Sequence, residues 1–264
     1  MMADLCAAEG SAHRLTDGVV LIDKPRGVTS FAMVKQVRRL LAIKKVGHAG
    51  TLDPFATGLL IVCVGRPATR LIDRFMAGGK RYRALLQLGV ETETLDPEGK
   101  VIGTAPVPDL NEEEIRSCLA RFIGRQLQAP PAYSAVKHQG KPLYHYARQG
   151  IVIAKEPREI EISSLVFGSY DPMLHQLAVD VACSRGTYVR VLAADIGRAL
   201  GCGAHLLELR RLSSGCFTVA ESLPGEALAE EDGGKLLLAA MFTVAQAEAL
   251  LDEAAREEKT AAAG

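Results

Sequence analysis

The apolar positions of this chain change period several times, and each change marks an element. Residues 19–22 are a continuous apolar run that stops at Asp23-Lys24-Pro25, where Pro25 and Gly27 force a turn. Phe31, Val34, Val37, Leu40 and Leu41 recur at helical spacing behind a cap from Thr29 or Ser30, leaving Lys35, Arg38 and Arg39 for solvent or ligand. Residues 47–58, GHAGTLDPFATG, hold too much Gly, Thr and Pro for either period and predict a loop ahead of a strand over residues 59–64. A short helix over residues 67–76 follows, then a strand with Tyr82, Ala84, Leu86 and Leu88 on one face. Asp96-Pro97-Glu98-Gly99 reads as a turn, and residues 111–122 as a helix with Glu112, Glu113 and Glu114 at the end its dipole favours.

Beyond Gly124 the pattern breaks into an irregular arm with Pro130-Pro131 and three tyrosines, plus a short helix near residues 143–149. Strand signals return at Ile160 and Ile162, at residues 165–167, and in the alternation of Leu177, Val179, Val181 and Cys183. Residues 185–190 lead into a helix over 191–200 that Gly201 and Gly203 end, and a last strand covers 206–212. Only short helical patterns remain after Glu221. Grouped strands with interspersed helices predict an α+β fold around a mixed, largely antiparallel sheet flanked by helices and loops.

Composition narrows the class. With 264 residues, 48% hydrophobic and 23% charged, the chain can bury a large core, which excludes wholesale disorder. Its six cysteines form no CxxC pair, so they are expected to be reduced, with no metal. Cys63 and Cys183 fall in apolar runs and read as small buried hydrophobes. No stretch reaches the roughly 18 apolar residues of a membrane helix, and no basic flank precedes an apolar block near the start. The expectation is a cytoplasmic protein with no membrane contact, its residues 1–16 a flexible leader.

Net charge is zero, but it is unevenly placed. Residues 24–83 carry thirteen Lys or Arg against Asp53 and Asp73 alone, while residues 221–259 carry ten acidic side chains against Lys235, Arg256 and Lys259. A cationic region of this kind is the footprint of a polyanion partner; from charge alone it is equally two solvated surfaces.

Asp53, a carboxylate in a Gly-rich loop within that region, has two readings. Followed by Pro54, it can simply initiate a turn; it can also be a reactive group on an anchored loop. No zinc triad, Walker loop, nucleophile elbow or dinucleotide fingerprint competes with it.

Six blocks in order, LIDKPRGVTS, GHAGTLDPFATGLL, KRYRALLQLG, PPAYSAVKHQGKPLYHYARQG, CSRGTYVRVLAADIG and LGCGAHLLELRRL, resemble the TruB family of tRNA pseudouridine(55) synthases. They run from residue 18 to about 212, roughly three quarters of the chain. The resemblance implies the pseudouridine synthase fold and conversion of the tRNA T-loop uridine, U55, to pseudouridine. The bond from N1 to the sugar breaks and is remade to C5, without metal or cofactor. Asp53 matches the family's catalytic aspartate, acting as nucleophile or as the base that starts glycal formation. Arg190, two residues after Tyr188 and so on the same face if that segment is a strand, is expected to pair with Asp53, keeping it ionised and positioned. Tyr82 matches the tyrosine that stacks on the target base, Tyr188 and Leu209 match walls of the uracil pocket, and His48 matches the histidine that holds the rearranged T loop.

Lys24, Arg38, Lys44, Lys45, Lys80, Lys137, Lys141 and Arg148 are candidates for phosphate contacts. The resulting organisation is a catalytic domain over residues 17–220 with an RNA-binding arm at about 124–150, then a short acidic helical segment over 221–264. Many family members end in a small β-barrel of the PUA type; too few residues follow Val244 here to build one. The tRNA T-arm is the expected partner, with no obligate protein partner and a monomeric state. A guide-dependent synthase on another RNA and an RNA-folding chaperone are the alternatives.

Overall fold

The computed structural model describes residues 17–263, and the leader expected over residues 1–16 lies outside the described residues. The chain runs β1 (Gly18–Lys24), α1 (Ser30–Leu41), β2 (Val46–Ala49), β3 (Thr57–Val64), α2 (Gly65–Thr69), α3 (Ile72–Ala77), β4 (Lys80–Leu88), β5 (Val90–Thr92) and β6 (Val101–Thr104). It continues through α4 (Glu112–Ala120), β7 (Gly124–Gln128), β8 (Lys137–His138), β9 (Lys141–Pro142), α5 (Leu143–Ala147), β10 (Arg158–Asp171), β11 (Gln176–Cys183), α6 (Val189–Ala199) and β12 (Ala204–Ser214). The last elements are β13 (Phe217–Thr218), β14 (Leu223–Pro224), α7 (Gly233–Ala239) and α8 (Val244–Ala263).

Among the described residues ten strands form one sheet in the order β14-β1-β3-β12-β4-β11-β10-β7, with β2 on β3 and β13 on β12. β1 with β14 and β12 with β3 are parallel; the other pairs are antiparallel, so the sheet is mixed and largely antiparallel. β3 reads as a continuous apolar run because both its faces are covered. Leu60, Val62 and Val64 pack against Met33, Val34 and Val37 of α1, while Leu59, Ile61 and Cys63 pack with Phe75, Phe217 and Ala247. β4 and β11 alternate because only one face is covered: Leu86, Leu88, Leu177 and Val179 meet Leu192, Ala193 and Ile196 of α6, while Arg81 and Arg83 face solvent.

Several boundaries differ from the sequence expectation. The loop expected over 47–58 opens with the strand β2, whose pairing with β3 no local pattern announces. The helix expected over 67–76 is two short ones, α2 and α3, and the separate signals at 160–167 belong to the single long strand β10. Residues 124–128 are the edge strand of the main sheet, so the arm proper begins after Gln128. α6 starts at Val189 rather than 191, with Tyr188 as its extended cap residue. Gln128 braces that cap from 60 residues away: its Oε1 accepts from the Tyr188 N–H at 2.7 Å and its Nε2 donates to the Tyr188 carbonyl at 3.2 Å. The segment after Glu221 packs as α7 and α8 and, among the described residues, closes no barrel. Among the same residues no helix is long and apolar enough to cross a membrane.

Candidate active site

Asp53 sits in the loop between β2 and β3, and the first turn of α1 holds that loop. Ser30 Oγ bonds both the N–H and the carbonyl of Leu52 at 2.9 Å, and the Gly27 N–H donates to the Pro54 carbonyl at 2.8 Å. Lys24 lies beneath, with no exposed surface, its Nζ donating to the carbonyls of Pro25, Val28 and Pro54. Gly58 closes the loop at φ +99°, where a Cβ would stand 2.3 Å from the Arg211 carbonyl oxygen; only glycine fits. The turn read from Asp53-Pro54 exists, but through the backbone: the Asp53 carbonyl accepts from the Ala56 N–H at 3.1 Å, which leaves the carboxylate free.

That carboxylate meets Arg190, whose Nε lies 2.9 Å from Asp53 Oδ2. The Arg190 side chain is 5% exposed, and its other donors are committed: Nη1 to the Thr94 carbonyl at 2.6 Å and Nη2 to the Tyr133 carbonyl at 2.9 Å. Asp96 Oδ2 stands 3.4 Å from Nη1, while its Oδ1 accepts from Thr94 Oγ1 and the Glu98 N–H. One guanidinium therefore ties together the reactive loop, the turn after β5 and the arm. Its planar fork suits this, since four oxygens approach from fixed directions.

Two hollows meet at Asp53. The smaller, about 280 Å³, is lined by Asp53, Tyr82, Tyr188, Arg190, Leu209 and Arg211 among others. The larger, about 830 Å³, is lined by Phe31, His48, Asp53, Glu98, Tyr144, Arg148 and Arg190 among others. The smaller lies just below the roughly 300–1,000 Å³ of sites for drug-sized ligands, a size fit for one nucleobase. The larger has room for more of a chain.

Burial raises the Asp53 carboxyl above the ordinary carboxylate range; Arg190 opposes this and Asp96 adds to it. The expected contact of Arg190 with Asp53 is present and favours the ionised form, but loss of water outweighs the ion pair and the net direction is upward. Burial likewise raises the Tyr82 phenol, with Arg211 pulling the other way, so Tyr82 stays protonated at neutral pH. Burial and the Arg211 charge lower His48, and its Nδ1 is enclosed without a partner. A neutral imidazole fits contact or stacking.

Residues 38–189 match the family described as TruB family pseudouridylate synthase (N terminal domain), and residues 190–254 match the tRNA pseudouridylate synthase B C-terminal domain. The chain belongs to the TruB family. It is 55% identical over 232 residues to tRNA pseudouridine synthase B of Desulfotalea psychrophila, covering 87% of this chain and 94% of that one. The corresponding protein of Thiobacillus denitrificans is 50% identical over 211 residues, covering 80% of this chain and 70% of that one. A chain in the crystal structure of a Cbf5-Nop10-Gar1 complex overlays with a TM-score of 0.66 at 28% identity, covering 89% of this chain and 62% of that one. The present chain therefore spans under two thirds of that solved relative. The two TruB matches divide the site between them, with Asp53 and Tyr82 in the first and Arg190 and Leu209 in the second.

Of the TruB-like residues read from sequence, Asp53, Tyr82, Tyr188, Arg190 and Leu209 line the small hollow and His48 the large one. Arg190, expected on a strand, instead faces Asp53 from the first turn of α6. Two phosphate candidates are corrected as well. Lys24 is occupied as described, and Lys80 is buried with Nζ on the Met76 and Gly78 carbonyls; burial lowers each to about 8. Arg38 is half committed, its Nη2 donating to the Val46 carbonyl at 2.6 Å while its guanidinium rests on the Phe31 ring. Lys44, Lys45, Lys137, Lys141 and Arg148 are exposed. Phe31, expected in the apolar stripe of α1, is 52% exposed and lines the large hollow instead.

Sequence reasoning passed over Asp96, read only as a turn residue, and Arg211. Arg211 is buried, with Nε on the Leu59 carbonyl at 2.6 Å and Nη2 on the Gly50 carbonyl at 3.1 Å, and it pairs in register with Tyr82 across β12 and β4. A signal existed: on a strand, Arg210 and Arg211 must face opposite ways, and Arg211 shares the parity of Leu209.

Proposed function

We propose that this chain converts uridine 55 in the T loop of tRNA to pseudouridine. The target base leaves its stack and enters the small hollow, between Tyr82, Tyr188 and Leu209, where stacking offsets an unstacking cost of a few kcal/mol. The Asp53 carboxylate acts at the sugar, either attacking C1′ or removing the 2′ hydrogen, and the bond from N1 to C1′ breaks. The detached uracil turns, C5 bonds to C1′, and the C5 proton leaves to a base. Substrate and product are isomers, so the balance closes without any co-reactant.

The observation that carries this reading is the 2.9 Å contact of Arg190 with Asp53 at the mouth of a base-sized hollow, in a chain of the TruB family. Exposed Lys44, Lys45, Lys137, Lys141 and Arg148, the last lining the large hollow, are free to take phosphate contacts. The relatives named for tRNA favour tRNA over a guided RNA, since the match to the Desulfotalea psychrophila protein spans 94% of its length. The reading includes action in the cytoplasm as a monomer, with no second protein. Purified chain on an unmodified T-arm stem-loop tests it against a guide-dependent activity. Asp53→Asn tests it against a chaperone: tRNA binding is expected to survive while pseudouridine formation disappears. Pseudouridine from that variant would remove Asp53 from the chemistry.

A further inference from the structure

Few residues line both hollows, and most of those that do are already accounted for. Thr51, Leu52, Asp53, Ser134, Ala135 and Arg190 form the sill between them. Asp53 and Arg190 are paired, and Thr51 is on the surface. Ser134 is different: it is 3% exposed, and its Oγ is enclosed with no hydrogen-bond partner. A buried hydroxyl in that state costs free energy, and native proteins rarely retain one without a use.

Its backbone is held on both sides. The Ser134 carbonyl accepts from the Tyr144 N–H at 3.1 Å, and the preceding carbonyl, that of Tyr133, accepts from Arg190. The guanidinium that orients Asp53 thus also sets the place of Ser134. The side-chain hydroxyl, by contrast, makes no hydrogen bond. A serine has three χ1 wells, and no bond opposes a rotation that turns Oγ toward the sill.

We propose that the Ser134 hydroxyl binds the 2′-hydroxyl of the target ribose. This rests on the reading of the site given above, which puts the target base in the small hollow; the backbone then takes the adjoining larger one, which has room for it. The ribose then crosses the sill with C1′ at Asp53, and its 2′-hydroxyl, on the carbon next to C1′, reaches the other polar group there. A serine hydroxyl both donates and accepts, as does a 2′-hydroxyl, and that group is how a protein distinguishes RNA from DNA.

The test measures binding in an Asp53→Asn background, so that no turnover intervenes, with T-arm stem-loops bearing uridine or 2′-deoxyuridine at the target position. Adding Ser134→Ala is expected to weaken binding of the uridine RNA about fivefold, as for one neutral hydrogen bond, and to leave the deoxyuridine RNA unchanged. Equal loss on both RNAs, or loss on neither, overturns the proposal. Melting of the single variant Ser134→Ala gives a second readout: an unchanged or higher midpoint is expected, because an unpaired buried hydroxyl is gone. A fall of several degrees would make Oγ a brace of the arm and overturn the proposal too. Pseudouridine formation by the wild-type chain on the uridine RNA, assayed in parallel, checks the underlying activity separately.

Discussion

Replacing Arg190 by Met probes the centre of the site, because one guanidinium there compensates two carboxylates. The variant leaves Asp53 without its 2.9 Å partner, Asp96 without the cation 3.4 Å away, and the Thr94 and Tyr133 carbonyls without donors. Removing one member of a buried pair costs about 3–5 kcal/mol. The Asp53 side chain is 37% exposed and recovers some water, whereas Asp96 is 6% exposed and recovers little, so the low end, about 3 kcal/mol, applies. For a chain of this size that lowers the melting midpoint by roughly 6–12 °C.

The sign with pH is a sharper check. Burial already raises the Asp53 pKa in the folded state, and Arg190 is the group opposing it. A carboxyl whose folded pKa lies above its unfolded value loses stability as pH rises through the folded pKa and regains it as pH falls. Without Arg190 that pKa climbs further, so the gap between wild type and Arg190→Met is expected to be widest at pH 7.5 and to narrow toward pH 5. Scanning calorimetry at both pH values measures it. A gap that is constant with pH, or a midpoint loss under about 2 °C, would refute the reasoning that charge compensation is the role of this side chain.

Three further outcomes follow from the same geometry. Lys24→Met strips a donor from three carbonyls around the Asp53 loop but relieves a desolvated ammonium, so a net loss of about 2 kcal/mol is expected by denaturant titration, with pseudouridine formation falling more than tRNA affinity; unchanged stability would deny the anchoring role. Tyr82→Leu is expected to slow single-turnover product formation on the order of a hundredfold with little change in affinity; the reverse pattern would make Tyr82 a docking residue. Lys44 and Lys45 are exposed, and neutralising both is expected to lower the slope of log affinity against log salt by about 1.5; an unchanged slope removes them from the interface.

The elements were largely legible, because apolar period is a local property and the covered faces of α1, β4 and β11 impose it directly. The reactive loop was legible too, in its Gly, Thr and Pro content and in the order of the six blocks. Local signals failed where a distant partner decides the conformation. The start of α6 depends on Gln128, 60 residues away, and β2 on its pairing with β3.

Charge was the least legible property. Sequence counts Lys24 and Lys80 as cations available to RNA, yet both donate to backbone carbonyls in the interior, and Arg211, which drew no reading at all, does the same at a separation of 152 residues. Asp96 read as turn chemistry because its contacts with Thr94 and Glu98 are local, whereas the Arg190 that gives it a second role comes from α6. By itself the sequence determined the periods, the loop, the family pattern and the candidate carboxylate. Tertiary structure alone decided which polar groups are enclosed, which are paired, and that two hollows meet at Asp53. The reason is that a water-excluded hydrogen bond depends on position in space, and chain spacing carries no record of it.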